Sequence, residues 1–350
     1  MQGKSTLPAE LYREIFQHIS KPDLCVLSRS SRVLQADAEF FIYQHIESNR
    51  RPETAQFCSL ITKTTRFHSL VRTLHISNGD DPTIGSVEYW SGISALLGCL
   101  AHLEDLRIYD SLENPNAWVL ASCRARLSKI GCDFLMDQYL ASFFQSQANI
   151  CRIDWTDSSR DTVAGNDIEK WAPEKSRLPP SATMLTTNSP RFALKMLGSS
   201  RLTHLWIYGP CAPPGEEEGW MHFIQNFRDI GTLRSLRLSL PHRRRPLISV
   251  LAHLAKYALN LRSLGFVTWF DAKDQEMFSL LAGLKKLSSL VTWSVISAET
   301  SRKLAEWCPS LRLVACLHYS YSHEYVFLPV NPMGIPHAVH DPEYKLWKDA

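Results

Sequence analysis

Residues 233–238 read Leu-Arg-Ser-Leu-Arg-Leu, and residues 261–266 read Leu-Arg-Ser-Leu-Gly-Phe. Both spell apolar-x-x-apolar-x-apolar. The same pattern occurs at Val71/Leu74/Ile76, Leu103/Leu106/Ile108, Leu127/Ile130/Cys132 and Ile150/Ile153/Trp155, then at Ala182/Leu185/Thr187 and Leu202/Leu205/Ile207. Beyond the two quoted copies it recurs at Leu287/Leu290/Thr292 and Cys308/Leu311/Leu313, with copies spaced from about 20 to just over 30 residues apart. The inner part of each copy alternates with period two, as a short strand with one buried face does. Between several copies the period becomes helical: Ile93, Leu96, Leu97 and Leu100; Trp220, Phe223, Ile224 and Phe227; Leu247, Val250, Leu251, Leu254 and Ala258; Met277, Leu280, Leu281 and Leu284. Strand and helix alternate, which predicts parallel strands joined by helical crossovers. A unit this short, repeated this often, predicts an α/β curved solenoid with strands inside and helices outside.

Alternation also assigns faces. With Leu205 and Ile207 pointing into the core, His204, Trp206 and Tyr208 point onto the concave sheet. The same count places Asp105, Arg107 and Tyr109; Arg152, Asp154 and Thr156; Ser235, Arg237 and Ser239; and Ser289, Val291 and Trp293 on that face. Trp, Tyr and Arg are the residue types enriched at binding hot spots, so Arg107, Tyr109, Trp206, Tyr208 and Arg237 are the candidate residues for holding a protein target.

Ahead of the repeats, residues 6–46 carry three short helical patterns. Pro8 suits the first turn of a helix, and Glu10 meets the positive end of its dipole. Leu11, Ile15 and Ile19 recur at i, i+4 and i+8 with Phe16 beside them, and Lys21-Pro22-Asp23 breaks the pattern. Leu24 and Leu27 begin a second helix, and Leu34, Ala38, Phe41, Ile42 and His45 lie on one side of a third. A unit of roughly 40 residues is near the size that needs a partner to complete its core.

This stretch resembles an F-box. The residues that carry the likeness are Leu7-Pro8, Glu10-Leu11, Ile15-Phe16, Ile19, Asp23-Leu24, Leu27-Ser28 and Ser31-Arg32, in the family's order. Leu34 stands where many members carry Trp, which keeps an apolar contact and gives up ring area. The resemblance implies that Leu7, Pro8, Leu11, Ile15, Phe16, Ile19, Leu24, Leu27 and Leu34 bind the adaptor subunit of an SCF-type, cullin-based ubiquitin ligase. The repeats resemble the leucine-rich-repeat domains that commonly follow an F-box, in degenerate form. The Asn or Cys expected three residues after the last apolar position is replaced by Gly79, Ser111, Pro210, Pro241 and Trp269, which predicts irregular turns. Together the two resemblances imply a substrate-recognition subunit that holds a protein target near a ubiquitin-loaded enzyme and does no chemistry itself. The alternative is a repeat scaffold outside ubiquitin transfer.

Composition narrows the remainder. The chain has 350 residues, 45% of them hydrophobic and 21% charged, with a net charge of +3 that gives no basic field for nucleic acid. His242-Arg243-Arg244-Arg245, set between prolines, reads as a solvated loop. Nine cysteines without a C-x-x-C pair read as reduced core residues of a cytoplasmic or nuclear protein, and no signal-type or membrane-spanning segment is expected. There is no G-x-S-x-G, G-x-x-x-x-G-K, G-x-G-x-x-G or H-E-x-x-H motif, so no catalysis, metal or cofactor is expected; His337-x-x-His340-Asp341 reads as tail. The predicted organisation is an F-box over 5–47, a linker and first solenoid helix over 48–70, and repeats over 71–320 with a polar insertion at 156–181. A tail over 321–350, with Tyr325, Phe327, Tyr344 and Trp347, is read as a cap for the last repeat.

Overall fold

The computed structural model describes residues 8–78, 85–110, 114–157, 179–199, 201–208, 230–238, 244–267, 275–292, 298–317, 325–329 and 337–339. Two compact units divide the chain, Met1–Ile150 and Cys151–Ala350.

The first unit opens with helices α1 (Ala9–Phe16), α2 (Lys21–Ser30) and α3 (Arg32–Gln44). The first helix stops at Phe16, ahead of the predicted break, and Pro22 belongs to the first turn of α2, where a missing N–H is harmless. Side chains of Ser20 and Ser31 cap α2 and α3 by accepting from the amides of Asp23 and Val33. The helices run into β1 (His45–Ser48) with no residue between, followed by α4 (Arg51–Lys63), β2 (Thr73–Ser77), α5 (Val87–Cys99), β3 (Asp105–Tyr109), a 3-10 turn (Ala117–Ser122), β4 (Lys129–Cys132) and α6 (Gln138–Ser146). Strands β1 to β4 are parallel neighbours in chain order, and Ile46, Leu74, Leu106 and Ile130 stand in one register row. A repeat strand therefore begins at His45, inside the stretch read as the end of the N-terminal module. Its slot for a last apolar residue holds Ser48, whose hydroxyl shares a 2.8 Å hydrogen bond with Thr54, and this hid it from the apolar pattern.

The second unit holds β5 (Arg152–Trp155), β6 (Met184–Thr187), α7 (Pro190–Ser199), β7 (His204–Ile207), a 3-10 turn (Ile230–Thr232), β8 (Ser235–Leu238) and α8 (Arg244–Tyr257). It continues with β9 (Ser263–Val267), α9 (Gln275–Gly283), β10 (Ser289–Thr292), α10 (Ala298–Trp307), β11 (Leu313–Leu317), β12 (Tyr325–Pro329) and β13 (His337–Val339). Strands β5 to β11 pair in parallel in chain order. The tail then reverses: β12 pairs antiparallel with β11, and β13 with β12. Leu290 pairs with Val314, so the last repeat is Leu311/Val314/Cys316 and the predicted copy at Cys308 is displaced by three residues. Cys308 closes the helix before it: its carbonyl accepts from Leu311 N, as that of Leu284 accepts from Leu287 N and that of Ala258 from Leu261 N. Arg244 opens α8 and is helical, contrary to the loop reading, while His242, Arg243, most of the insertion and the Trp220–Phe227 stripe lie outside the described residues. Cys58 and Cys308 are buried, and burial pushes their thiols up to about 12 and about 11, whereas Cys151 is exposed and is not a core residue.

One backbone contact recurs at the strand entries. The carbonyl of Arg72 accepts both Glu104 N and Asp105 N, at 2.8 and 3.1 Å. Glu104 O does the same for Ser128 and Lys129, Cys151 O for Thr183 and Met184, Thr183 O for Thr203 and His204, and Thr203 O for Arg234 and Ser235. Arg234 O, Arg262 O and Ser288 O continue the series. A carbonyl has two lone pairs, and here both are used by the next coil.

At the other end of the strands the first unit carries a buried polar seam. The Arg51 guanidinium donates to Asp110 Oδ1 at 2.7 Å with both side chains below 10% exposed. Asn78 donates to the same oxygen at 2.9 Å, Asp133 Oδ2 accepts the Asp110 amide at 2.5 Å, and Asp133 Oδ1 accepts from Asn114 at 3.0 Å. Asn78 and Asp110 stand two residues past the last apolar position, not three, and Gly79 and Ser111, where irregular turns were expected, lie outside the described residues. Arg51→Ala would leave a buried carboxylate without its cation, and denaturant unfolding should show a loss of about 3 to 5 kcal/mol. Arg51→Met with Asp110→Asn should lose less, because both members of the ion pair are then neutral and neither leaves the other unpaired.

Candidate protein-interaction surfaces

The N-terminal helices have a core of their own. Phe16, Leu24 and Ala38 are buried together, and Tyr12, Ile19, Leu27, Leu34, Phe41 and Ile42 pack against them. Arg13 ties α1 to α3 through Asp37 at 3.0 Å. Tyr12 and Phe16 are one helical turn apart and take the inner face of α1, which puts Leu11 and Ile15, also one turn apart, about 100° round the helix on a neighbouring face. There Leu11 is 41% exposed and Ile15 47%, large apolar side chains only partly covered, and Pro8 is exposed as well. Eight of the nine candidate adaptor residues thus fall into two groups: Pro8, Leu11 and Ile15 at the surface, and Phe16, Ile19, Leu24, Leu27 and Leu34 in or against the module's core. Leu7 lies outside the described residues.

These helices are joined firmly to the first coil. Tyr43 stacks on Phe67 with ring centroids 4.1 Å apart, Arg66 pairs with Glu39 at 3.0 Å, and the Lys21 ammonium donates to the His45 carbonyl at 2.5 Å.

In the first unit the outward strand residues gather on Asp105. Arg107 lies 3.3 Å, His75 3.6 Å and Lys129 3.8 Å from its carboxylate. Burial alone would raise that carboxyl, but the His75 and Arg107 contacts outweigh it and hold it below the usual value. Arg107 is in register with Gly131, and the Tyr109 ring leans across the same glycine: a Cβ at position 131 would overlap the Tyr109 hydroxyl and approach Arg107 Cγ to 3.2 Å. Arg107 and Tyr109 are half-buried, so this face presents a charged, partly ordered surface.

In the second unit Asp154, Thr186, Trp206, Arg237 and Gly265 form one register row. The Arg237 guanidinium lies 5.3 Å from the centre of the Trp206 ring, and Trp206 meets Tyr208 edge to face at 6.2 Å. The Tyr208 hydroxyl bonds to the Thr156 hydroxyl. A Cβ on Gly265 would stand 2.7 Å from Arg237 Cγ, so the glycine makes room for the arginine stem to lie flat. Arg237 is 0% exposed, beneath the surface rather than on it, while Trp206 and Tyr208 remain half-exposed. The expected open face is closed at β8 and β10, where every strand residue is buried on both sides. Among the described residues no three metal-ligating side chains come together, and no helix is long and apolar enough to cross a membrane.

No protein-family model and no curated protein matches the chain. Among solved structures, the leucine-rich repeat-containing protein LegL7 from Legionella pneumophila is similar, with a TM-score of 0.50 at 15% identity over 79% of this chain and 89% of LegL7. The TLR13–ssRNA13 complex gives a TM-score of 0.33 at 15% identity, over 72% of this chain and 40% of that one. The likeness to LegL7 agrees with the parallel repeat strands: the chain has an α/β leucine-rich-repeat fold.

His204 supplies a test of the buried face. Burial, aided by the Arg234 charge, pushes its imidazole down to about 4. The unfolded chain protonates this ring near pH 6.5 and the folded one does not until about 4, so its effect is nil above 6.5 and destabilising as pH falls through that window. Compared with His204→Gln, the unaltered protein should lose on the order of 2 kcal/mol more between pH 7 and 4.5, measured by denaturant unfolding at each pH.

Proposed function

We propose that the chain is the substrate-recognition subunit of an SCF-type ubiquitin ligase, docking on the ligase adaptor through α1 and holding a protein target on its repeat strands. The observation that carries this reading is the outward stripe of Leu11 and Ile15 on a helix whose other face already completes a core. Large apolar side chains at helical spacing on a surface fit a partner's groove, and the ordered F-box-like residues from Pro8 to Arg32 name the adaptor as that partner. On the target side, Trp206 and Tyr208 are aromatic anchors on a strand face, backed by Arg237. Arg107 and Tyr109 offer a second, more charged contact in the other unit. Catalysis belongs to partner subunits, and this chain contributes proximity, which raises the effective concentration of target and enzyme without a reacting group of its own. The joint formed by Tyr43, Phe67, Glu39 and Arg66 suits that role, because a stiff connection fixes where the first coils stand relative to the docked helices.

The test is co-purification with the adaptor. Leu11→Asp with Ile15→Asp should weaken adaptor binding at least tenfold while leaving the thermal unfolding midpoint unchanged, since both side chains are surface residues. Adaptor binding that survives this change, or none by the unaltered protein, overturns the reading and leaves a repeat scaffold outside ubiquitin transfer.

A further inference from the structure

The first residues of β8, β9 and β10 are Ser235, Ser263 and Ser289, and the register sets Ser235 beside Ser263 and Ser263 beside Ser289. Side chains alternate along a strand, so these serines face away from the core formed by Leu236, Leu264 and Leu290. They are buried nonetheless: Ser235 and Ser263 are 0% exposed and Ser289 is 8%. Their amides are occupied by the carbonyls of Thr203, Arg234 and Arg262. Among the described residues the hydroxyls of Ser235 and Ser263 meet no hydrogen-bonding group. Buried hydroxyls in folded proteins almost always have a partner, on the protein or in ordered water.

The geometry selects the partner. Adjacent strands stand about 4.8 Å apart, so two hydroxyl oxygens at about that separation can each reach a single water at about 2.8 Å. The angle at that water is then about 118°, close to tetrahedral. A serine hydroxyl both donates and accepts, and so does water, so the match holds whichever way each proton points. Ser235 and Ser263 are themselves uncharged and closed to solvent, which suits water better than an ion. We propose that β8 to β10 hold a short file of internal water, one molecule shared by Ser235 and Ser263 and the next by Ser263 and Ser289. The serines are then joined across the sheet through water, two residues along the strands from the Trp206, Arg237 and Gly265 row, and the face beneath that row is kept in place by hydrogen bonds no protein group supplies directly.

Two measurements on the full chain test this. Ser235→Ala and Ser263→Ala, singly and together, should each lower the thermal midpoint by about 2 to 4 °C, and the pair should lose no more than the larger single change, because the shared water is lost once. Single changes that leave the midpoint level or raise it, or losses that simply add, overturn the proposal. A high-resolution crystal structure should show a solvent peak within hydrogen-bond distance of both Ser235 Oγ and Ser263 Oγ. Hydroxyls turned to backbone carbonyls with no peak between them would overturn it as well.

Discussion

The carbonyl shared by two successive amides at the entries of β3, β4 and β6 to β11 is the constraint from which the repeat register follows. A chain that turns back every 20 to 30 residues presents backbone amides at each new strand, and inside a coil no bulk water is available to satisfy them. One carbonyl of the preceding coil takes two successive amides, as Arg72 O takes those of Glu104 and Asp105 and as Arg234 O takes those of Arg262 and Ser263. That contact fixes where each strand starts, so equivalent residues fall into rows. The apolar rows make the core, and the outward rows bring together residues far apart in sequence, such as Trp206, Arg237 and Gly265. The two candidate strand surfaces and the serine row are products of this register.

A second constraint works at the opposite end of the strands. In a tidy repeat one residue type closes every turn. Here Asn78, Asp110 and Asp133 stand just past the ends of β2, β3 and β4, and Arg51 from α4 carries one buried cation from the first coil to Asp110 in the third. In the second unit Asn188 ties the ends of two neighbouring strands, accepting from Asp157 N at 2.6 Å and donating to Asp157 O at 2.8 Å. Individual turns are solved by different residues, and so the repeats diverge in sequence while the strand register persists.

This division explains what could be read from the chain. Period-two apolar positions located β2 to β10, because core burial leaves a strong mark on residue choice. The same signal failed at β1, where Ser48 and Thr54 pair their hydroxyls in an apolar slot, and at β11, where Cys308 imitates a repeat position while ending a helix. The tail strands β12 and β13 run antiparallel and carry no repeat signature. Alternation correctly told which side Arg237 and Ser235 take, but it cannot tell what lies over that side, and both are buried. Likewise the stripe on α1 was legible as apolar, whereas its division into inner Phe16 and outer Leu11 and Ile15 depends on packing against α3. The glycines at 131 and 265 were visible in the sequence, and their role appears only once an arginine is seen lying across each of them.

Hydrogen exchange read by mass spectrometry, with and without the ligase adaptor bound, tests the central claim most directly. Docking through the outward face of α1 should slow exchange across residues 8–20 and leave the strand amides of β2 to β10 unchanged. Unaltered exchange in α1, with protection instead on the repeat strands, would contradict the account.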